Sequence, residues 1–139
     1  YGLGSVLVLN GLYLFSNGIF SAAFLAVLFA YPCIDITVTV IRRIVKGVSI
    51  FLPDDDHLHN RIYFNCQYWF RSKTLANSMT GILIVSFSSG LALLGFMQKW
   101  WSVSSNQWVW IFLLQCAIYF IAFVVSGRKP SSTAYSLVE

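Results

Sequence analysis

Charged residues are scarce in this sequence of 139 residues, of which 10% are charged and 58% are hydrophobic. An average soluble domain carries roughly a quarter of charged residues, so the composition argues against an ordinary soluble domain. Charged side chains are missing altogether from residues 74–97 and 108–125, and residues 19–41 contain only Asp35. Each of these runs reaches the roughly 18 to 20 residues that cross about 30 Å of hydrocarbon.

A fourth apolar segment, residues 2–15, is shorter than these three runs. The pattern predicts an all-α, polytopic membrane protein with about four transmembrane helices. Residues 1–125 form its transmembrane part. The polar residues 126–139, with Gly127, Pro130 and several serines, are expected to be a mobile cytoplasmic tail.

The basic residues orient these helices. Lysine and arginine collect in short cytoplasmic loops, and only Lys99 lies between the third and fourth apolar runs. We therefore predict that the loop of residues 42–73, between the second and third helices, is cytoplasmic. The net charge of +4 is read as an orientation signal and an attraction for the lipid bilayer, and no nucleic acid partner is expected. The other basic residues are Arg42, Arg43, Lys46, Arg61, Arg71, Lys73, Arg128 and Lys129.

Four tryptophans cluster at the predicted outer edge of the membrane: Trp100, Trp101, Trp108 and Trp110. Amphipathic indole rings settle at membrane–water interfaces, so we predict an anchoring role for them. The three cysteines share no oxidising compartment in this topology, and no disulfide is expected. Because the sequence opens on Tyr1 inside an apolar segment, it is expected to be part of a longer protein.

The acids and histidines gather in the segment "FLPDDDHLHNR", residues 51–61. Pro53 and the Asp run favour an irregular or extended loop. Successive side chains of an extended segment alternate between two faces, so His57 and His59 are predicted to face the same way. Residues 61–71 then predict a short amphipathic helix at the interface, with Arg61 turned toward phosphates.

This loop has two simpler interpretations. Imidazole and carboxylate groups both ligate divalent metals, so the three aspartates beside His-x-His are compatible with a metal site. Short Asp and His runs are also common in solvated turns, where charge keeps the chain in water.

Polar residues inside the apolar runs are the other candidates. An intramembrane carboxylate is costly and is a functional candidate by default, which applies to Asp35. The alternative is a structural role, with Asp35 neutralised by Arg42 or hydrogen-bonded to Thr39. Pro32 predicts a kink, and Gln115 predicts a hydrogen bond between helices.

Taken together, the segment "YPCIDITVTVIRRIVKGVSIFLPDDDHLHNRIY", residues 31–63, resembles the C-terminal signature of the polyprenyl-phosphate N-acetylhexosamine-1-phosphate transferases. This glycosyltransferase family is related to phospho-N-acetylmuramoyl-pentapeptide transferase. Its pattern is a membrane helix with Pro-x-x-Asp-Thr, then Arg-Arg, a Gly-Ser-Pro-Phe-like turn, and Pro-Asp-Arg-x-His-x-His-His. The matching residues are Pro32, Asp35, Arg42, Arg43, Gly47, Ser49, Phe51, Pro53, Asp54, His57 and His59. Asp55 stands where the family usually has arginine, and Asn60 where it usually has the last histidine.

The resemblance implies an enzyme of the bacterial inner membrane that starts cell-surface glycan synthesis, as in lipopolysaccharide or cell-wall biogenesis. It would transfer N-acetylhexosamine-1-phosphate from a UDP-sugar such as UDP-N-acetylglucosamine to polyprenyl phosphate. The resemblance implies Mg²⁺ as cofactor, with ligands upstream of Tyr1, so this chain by itself is expected to be inactive. A homodimer is a further expectation.

By the same resemblance, the cytoplasmic loop binds substrate. The implied substrate-binding residues are His57, His59, Asn60, Arg61 and Asp54, with Asp35, Arg42 and Arg43 as further candidates. No catalytic residue is assigned within this chain. Two other classes stay open: a part of a transporter, and a non-catalytic membrane scaffold of a glycan assembly complex.

Overall fold

The computed structural model describes residues 2–51 and 56–127, and regular structure in them is helical throughout. Seven α-helices follow one another in these described residues. They are α1 (Gly2–Ser16), α2 (Ala22–Leu28), α3 (Ala30–Val45), α4 (Leu58–Phe70), α5 (Lys73–Val85), α6 (Leu91–Met97) and α7 (Val109–Val125). A π-helical turn, Ser86–Gly90, joins α5 to α6, and a 3₁₀ turn, Asn106–Trp108, precedes α7. The predicted all-α class is confirmed for the described residues.

Two helices in the described residues are long and apolar enough to cross a membrane, Lys73–Met97 and Asn106–Val125. A third span results if the bent pair α2 and α3 is counted as one. These agree with the third, fourth and second predicted runs. Helix α1 has 15 residues and falls short of that length. The chain therefore has the helices of a membrane protein, with two or three candidate spans.

The helices form two compact units. The first unit holds the described residues of Tyr1–Cys33 and Val85–Ile118. The second holds those of Ile34–Ile84 and Tyr119–Glu139.

Aromatic packing makes the core of the first unit. Phe24, Val27, Ala92 and Trp108 form one buried cluster, and the Trp108 indole donates a hydrogen bond to the Ser102 carbonyl at 2.9 Å. Trp108 is completely buried, so the prediction that it anchors the protein at the membrane surface is wrong. Its N–H has a partner inside the protein, which removes the need for an interfacial position.

The second predicted run is not one helix, because it breaks at Phe29 between α2 and α3. Pro32 lies in the first turn of α3. Because proline has no backbone N–H, the carbonyl four residues earlier loses its helical donor. That carbonyl belongs to Leu28, and it accepts a hydrogen bond from the Ser88 hydroxyl at 2.8 Å. The predicted kink is thus present, and the π-helical turn supplies the replacement donor.

Gln115 has the predicted role of linking helices within the first unit. Its completely buried amide donates to the Phe87 carbonyl at 2.8 Å and to the Val27 carbonyl at 3.3 Å.

Candidate functional site

A buried carboxylate organises the second unit. Asp35 lies on α3 and is 5% exposed. One of its oxygens lies 2.6 Å from His57 Nδ1. The other accepts hydrogen bonds from the Tyr119 hydroxyl at 2.6 Å and from the Leu58 backbone N–H at 3.2 Å. Three donors from two other helices therefore compensate the cost of burying this charge.

The start of α4 explains one of these donors. His57 is the residue before the helix, and its backbone is extended, with φ −89° and ψ 152°. The first backbone N–H groups of a helix have no acceptor within it, so Leu58 is free to donate to Asp35. The helix dipole also favours a negative charge at this end. The sequence predicted Arg42 or Thr39 as the alternative, structural partners of Asp35. In the structure Arg42 pairs with Asp56, and the Thr39 hydroxyl lies 3.5 Å from His57 Nδ1.

The two histidines face the same way, as the sequence predicted. Their rings stack with centroids 5.6 Å apart and planes at 16°. The geometry differs from the predicted extended loop, because α4 begins at Leu58 and includes His59 in its first turn. Burial holds the pKa of His59 below its ordinary value of 6.5, and neighbouring Asp35 opposes this in part.

A second charged cluster adjoins the loop. Asp56 pairs with Arg42 and accepts a hydrogen bond from Arg61 Nε at 2.7 Å. That bond lowers the pKa of the Asp56 carboxyl below its ordinary value of 3.8, with help from the charges of Arg42 and Lys46. Arg61 is 7% exposed, which differs from the predicted outward orientation. Its guanidinium lies 3.7 Å from the centroid of the Phe123 ring and donates to the Phe123 carbonyl at 2.8 Å.

An open cleft of ≈ 300 Å³ lies beside this cluster. Cationic side chains and the end of α7 form its walls. The lining residues are Arg42, Lys46, Asp56, Arg61, Phe123, Val124 and Gly127.

The structure divides the predicted site residues into two neighbouring groups. Asp35, His57 and His59 form the first, and Arg42 and Arg61 meet on Asp56 in the second. The other predicted residues are Arg43, Asn60 and Asp54. Arg43 is buried, Asn60 is half-buried, and Asp54 lies outside the described residues, as do Pro53, Asp55 and residues 128–139.

The sequence patterns did not indicate Tyr119, Phe123 or the role of Asp56. Tyr119 is 1% exposed and donates to Asp35. A signal for it existed, since Tyr119 follows Gln115 by one helical turn and both carry polar atoms in an otherwise apolar run.

No group of three or more His, Cys, Asp or Glu side chains suited to a metal ion occurs among residues 2–51 and 56–127. Two arginines pair with the Asp56 carboxylate, and the Asp35 carboxylate has three hydrogen-bond partners. The described residues therefore do not fit a magnesium site.

Comparisons of this chain with protein-family models, with curated proteins and with solved structures found no match.

Proposed function

We propose that this chain is the C-terminal membrane part of an enzyme that transfers N-acetylhexosamine-1-phosphate from a UDP-sugar to polyprenyl phosphate. One observation carries the proposal. The carboxylate of the Pro-x-x-Asp element, Asp35, contacts the first histidine of the His-x-His element, His57, at 2.6 Å. The Pro-x-x-Asp and His-x-His elements thus belong to one cluster, although a turn separates them in the sequence that carries the resemblance.

The chemistry of such a transfer suits this cluster. Phosphoryl transfer depends mainly on positioning and on neutralising the charge of the pyrophosphate. Imidazole and guanidinium groups are donors to phosphate oxygens. His57 and His59 supply imidazole groups at the start of α4, whereas the Arg61 guanidinium is held by Asp56 and Phe123.

Asp35 acts in this proposal through His57. A hydrogen bond from Nδ1–H to Asp35 fixes the orientation of the ring, and in the doubly protonated imidazolium the Nε2–H is then the donor to a phosphate oxygen. Asp35 and Tyr119 are therefore positioning residues, and His57 is a substrate ligand. Mg²⁺, where the whole enzyme binds it, would neutralise the diphosphate. Its ligands are expected outside the described residues, and we assign no step through it.

The topology that we propose has four membrane helices: α1, the bent pair of α2 and α3 as one span, and the two long candidate spans. A cytoplasmic loop over residues 42–73 lies between the second and the third of them. This orientation lets the loop meet a soluble nucleotide-sugar in the bacterial cytoplasm and a lipid phosphate at the membrane surface.

The test is an assay of the full-length protein in bilayer nanodiscs with Mg²⁺. We expect UMP release that requires both UDP-N-acetylglucosamine, or another UDP-N-acetylhexosamine, and polyprenyl phosphate. Omitting either one is the control. No release from any UDP-N-acetylhexosamine by the folded protein would contradict the proposal and favour a scaffold. Solute flux into vesicles under the same conditions would favour a transporter.

A further inference from the structure

The cleft beside Asp56 carries an excess of positive charge. Arg42, Lys46 and Arg61 line it against the single carboxylate of Asp56. The lowered pKa of Asp56 keeps that carboxylate ionised at neutral pH, so these side chains together contribute a charge of +2, three cations less one anion.

Two helix ends reduce this charge. Helices α3 and α7 end at Val45 and Val125, beside cleft residues. A helix C-terminus acts as about half a negative charge and a helix N-terminus as about half a positive charge. These two C-termini, together with the start of α4 two residues after Asp56, contribute about −0.5. The cleft keeps an excess of positive charge, which suits the single negative charge of a phosphodiester.

The surface around the cleft is apolar and exposed. Val124 lines the cleft and is 76% exposed, and the neighbouring Val125 and Val45 are 79% and 81% exposed. Valine side chains this exposed at the end of a candidate membrane span suit contact with hydrocarbon. A phosphate that carries acyl chains can contact these valines and the cleft at the same time.

We propose that this cleft binds a membrane phospholipid with a net negative charge, its phosphodiester among Arg42, Lys46 and Arg61 and its acyl chains against the exposed valines. The arrangement of Arg61 favours such a site. Its stacking on Phe123 and its bonds to Asp56 and to the Phe123 carbonyl fix the guanidinium in place, so little side-chain entropy is lost on binding. The lipid is a resident of the bilayer and not a reactant, so the proposal does not depend on sugar-phosphate transfer.

The experiment measures lipid selectivity of the full-length protein in nanodiscs, without any transferase substrate. Spin-labelled phosphatidylglycerol and spin-labelled phosphatidylcholine are compared by electron paramagnetic resonance in 0.1 M salt. At this ionic strength the Debye length is about 10 Å, so the exposed Lys46 that lines the cleft still acts on a phosphate bound there. We expect a motionally restricted phosphatidylglycerol population that exceeds the phosphatidylcholine population by about fivefold in association constant.

Lys46→Gln should lower this preference by about threefold to fivefold, and Lys46→Arg should retain it. Lys73→Gln is the matched control, because it removes one exposed cation of the same unit that does not line the cleft. Glycerophosphoglycerol, the head group without chains, should not displace the lipid at millimolar concentration. No preference for phosphatidylglycerol, an equal loss in the two glutamine variants, or displacement by the head group alone would each overturn the proposal.

Discussion

At the scale of single residues, Asp35 ties together the three helices that carry the candidate site. It lies on α3 and accepts hydrogen bonds from the start of α4 and from Tyr119 on α7. A buried carboxylate retains its charge at low cost only when such donors surround it. Each donor is thus expected to contribute to stability as well as to the placement of His57.

Removal of one donor tests this directly. Tyr119→Phe keeps the ring and deletes the hydroxyl that lies 2.6 Å from Asp35. A hydrogen bond to a charged group contributes about 1.5 to 3 kcal/mol, and we expect a destabilisation of that size in reversible unfolding in mixed micelles. Tyr68→Phe is the control, since Tyr68 is 83% exposed and belongs to the same unit. Equal stability of the two variants would refute the structural role of the hydroxyl.

The pairing of Asp56 predicts a pH dependence. Its folded pKa is held below 3.8 by the Arg61 hydrogen bond. The stability from this carboxylate is therefore complete above pH 3.8 and is lost as the pH falls through the lower, folded pKa. Thermal unfolding should show that the wild-type protein loses more stability than Asp56→Asn between pH 5 and pH 3. Parallel pH profiles would mean that the pairing adds nothing.

Sequence patterns identified most of the residues in the site but not their contacts. The long apolar run made Asp35 conspicuous, and the spacing of His57 and His59 indicated a shared direction. The packing of α7 against α3 decides which donor contacts Asp35. The pattern of apolar residues in one helix does not specify which of its faces contacts another helix. Tyr119 was missed for this reason.

At the scale of helices, the close packing of α6 against Trp108 explains why residue 95 is a glycine. A Cβ built on Gly95 would lie 2.5 Å from a ring carbon of Trp108 and 2.9 Å from one of Trp100. Trp108 is completely buried in the core of the first unit, so its ring has little freedom to move aside. The glycine thus permits the approach of α6 to the 3₁₀ turn before α7.

Two glycine substitutions separate packing from helix propensity. Gly95→Ala should destabilise the protein by about 1 to 3 kcal/mol through overpacking. A Cβ on Gly81, which is also helical, would meet nothing within 4 Å. Gly81→Ala should therefore be neutral or stabilising by up to about 1 kcal/mol. Thermal unfolding of both variants is the measurement, and an unaltered Gly95→Ala protein would contradict the packing argument.

The sequence predicted where the apolar helices lie, but it did not predict that the second apolar run is divided into α2 and α3. Runs without charge predicted the apolar helices, and the amphipathic pattern of residues 61–71 predicted most of α4, which begins three residues earlier at Leu58. The break at Phe29 depends on Pro32 together with the Ser88 hydroxyl, which lies far along the chain. The sequence around Ser88 does not indicate which carbonyl its hydroxyl contacts.

At the scale of the whole molecule, our proposal that the site faces the cytoplasm depends on the orientation of the helices in the membrane. Ser49 and Ser104 are both exposed and lie in connections that we predict on opposite sides. Single cysteines at these positions, with Cys33, Cys66 and Cys116 replaced by serine, should label from opposite faces in sealed spheroplasts. An impermeant maleimide added outside should label Ser104→Cys only. Labelling of Ser49→Cys from outside would reverse the orientation.

The proposed function depends on His57 as a substrate ligand that Asp35 positions, and its direct test is the transfer rate of the full-length protein. His57→Ala should lower kcat/KM for sugar-phosphate transfer at least about tenfold, which is about 1.4 kcal/mol in the barrier. Asp35→Asn should lower it as well, and Asn77→Ala, at an exposed position in α5, should not. Membrane insertion and expression of the variants are checked in parallel. If His57→Ala transfers sugar phosphate at the wild-type rate, the cluster is not the substrate site.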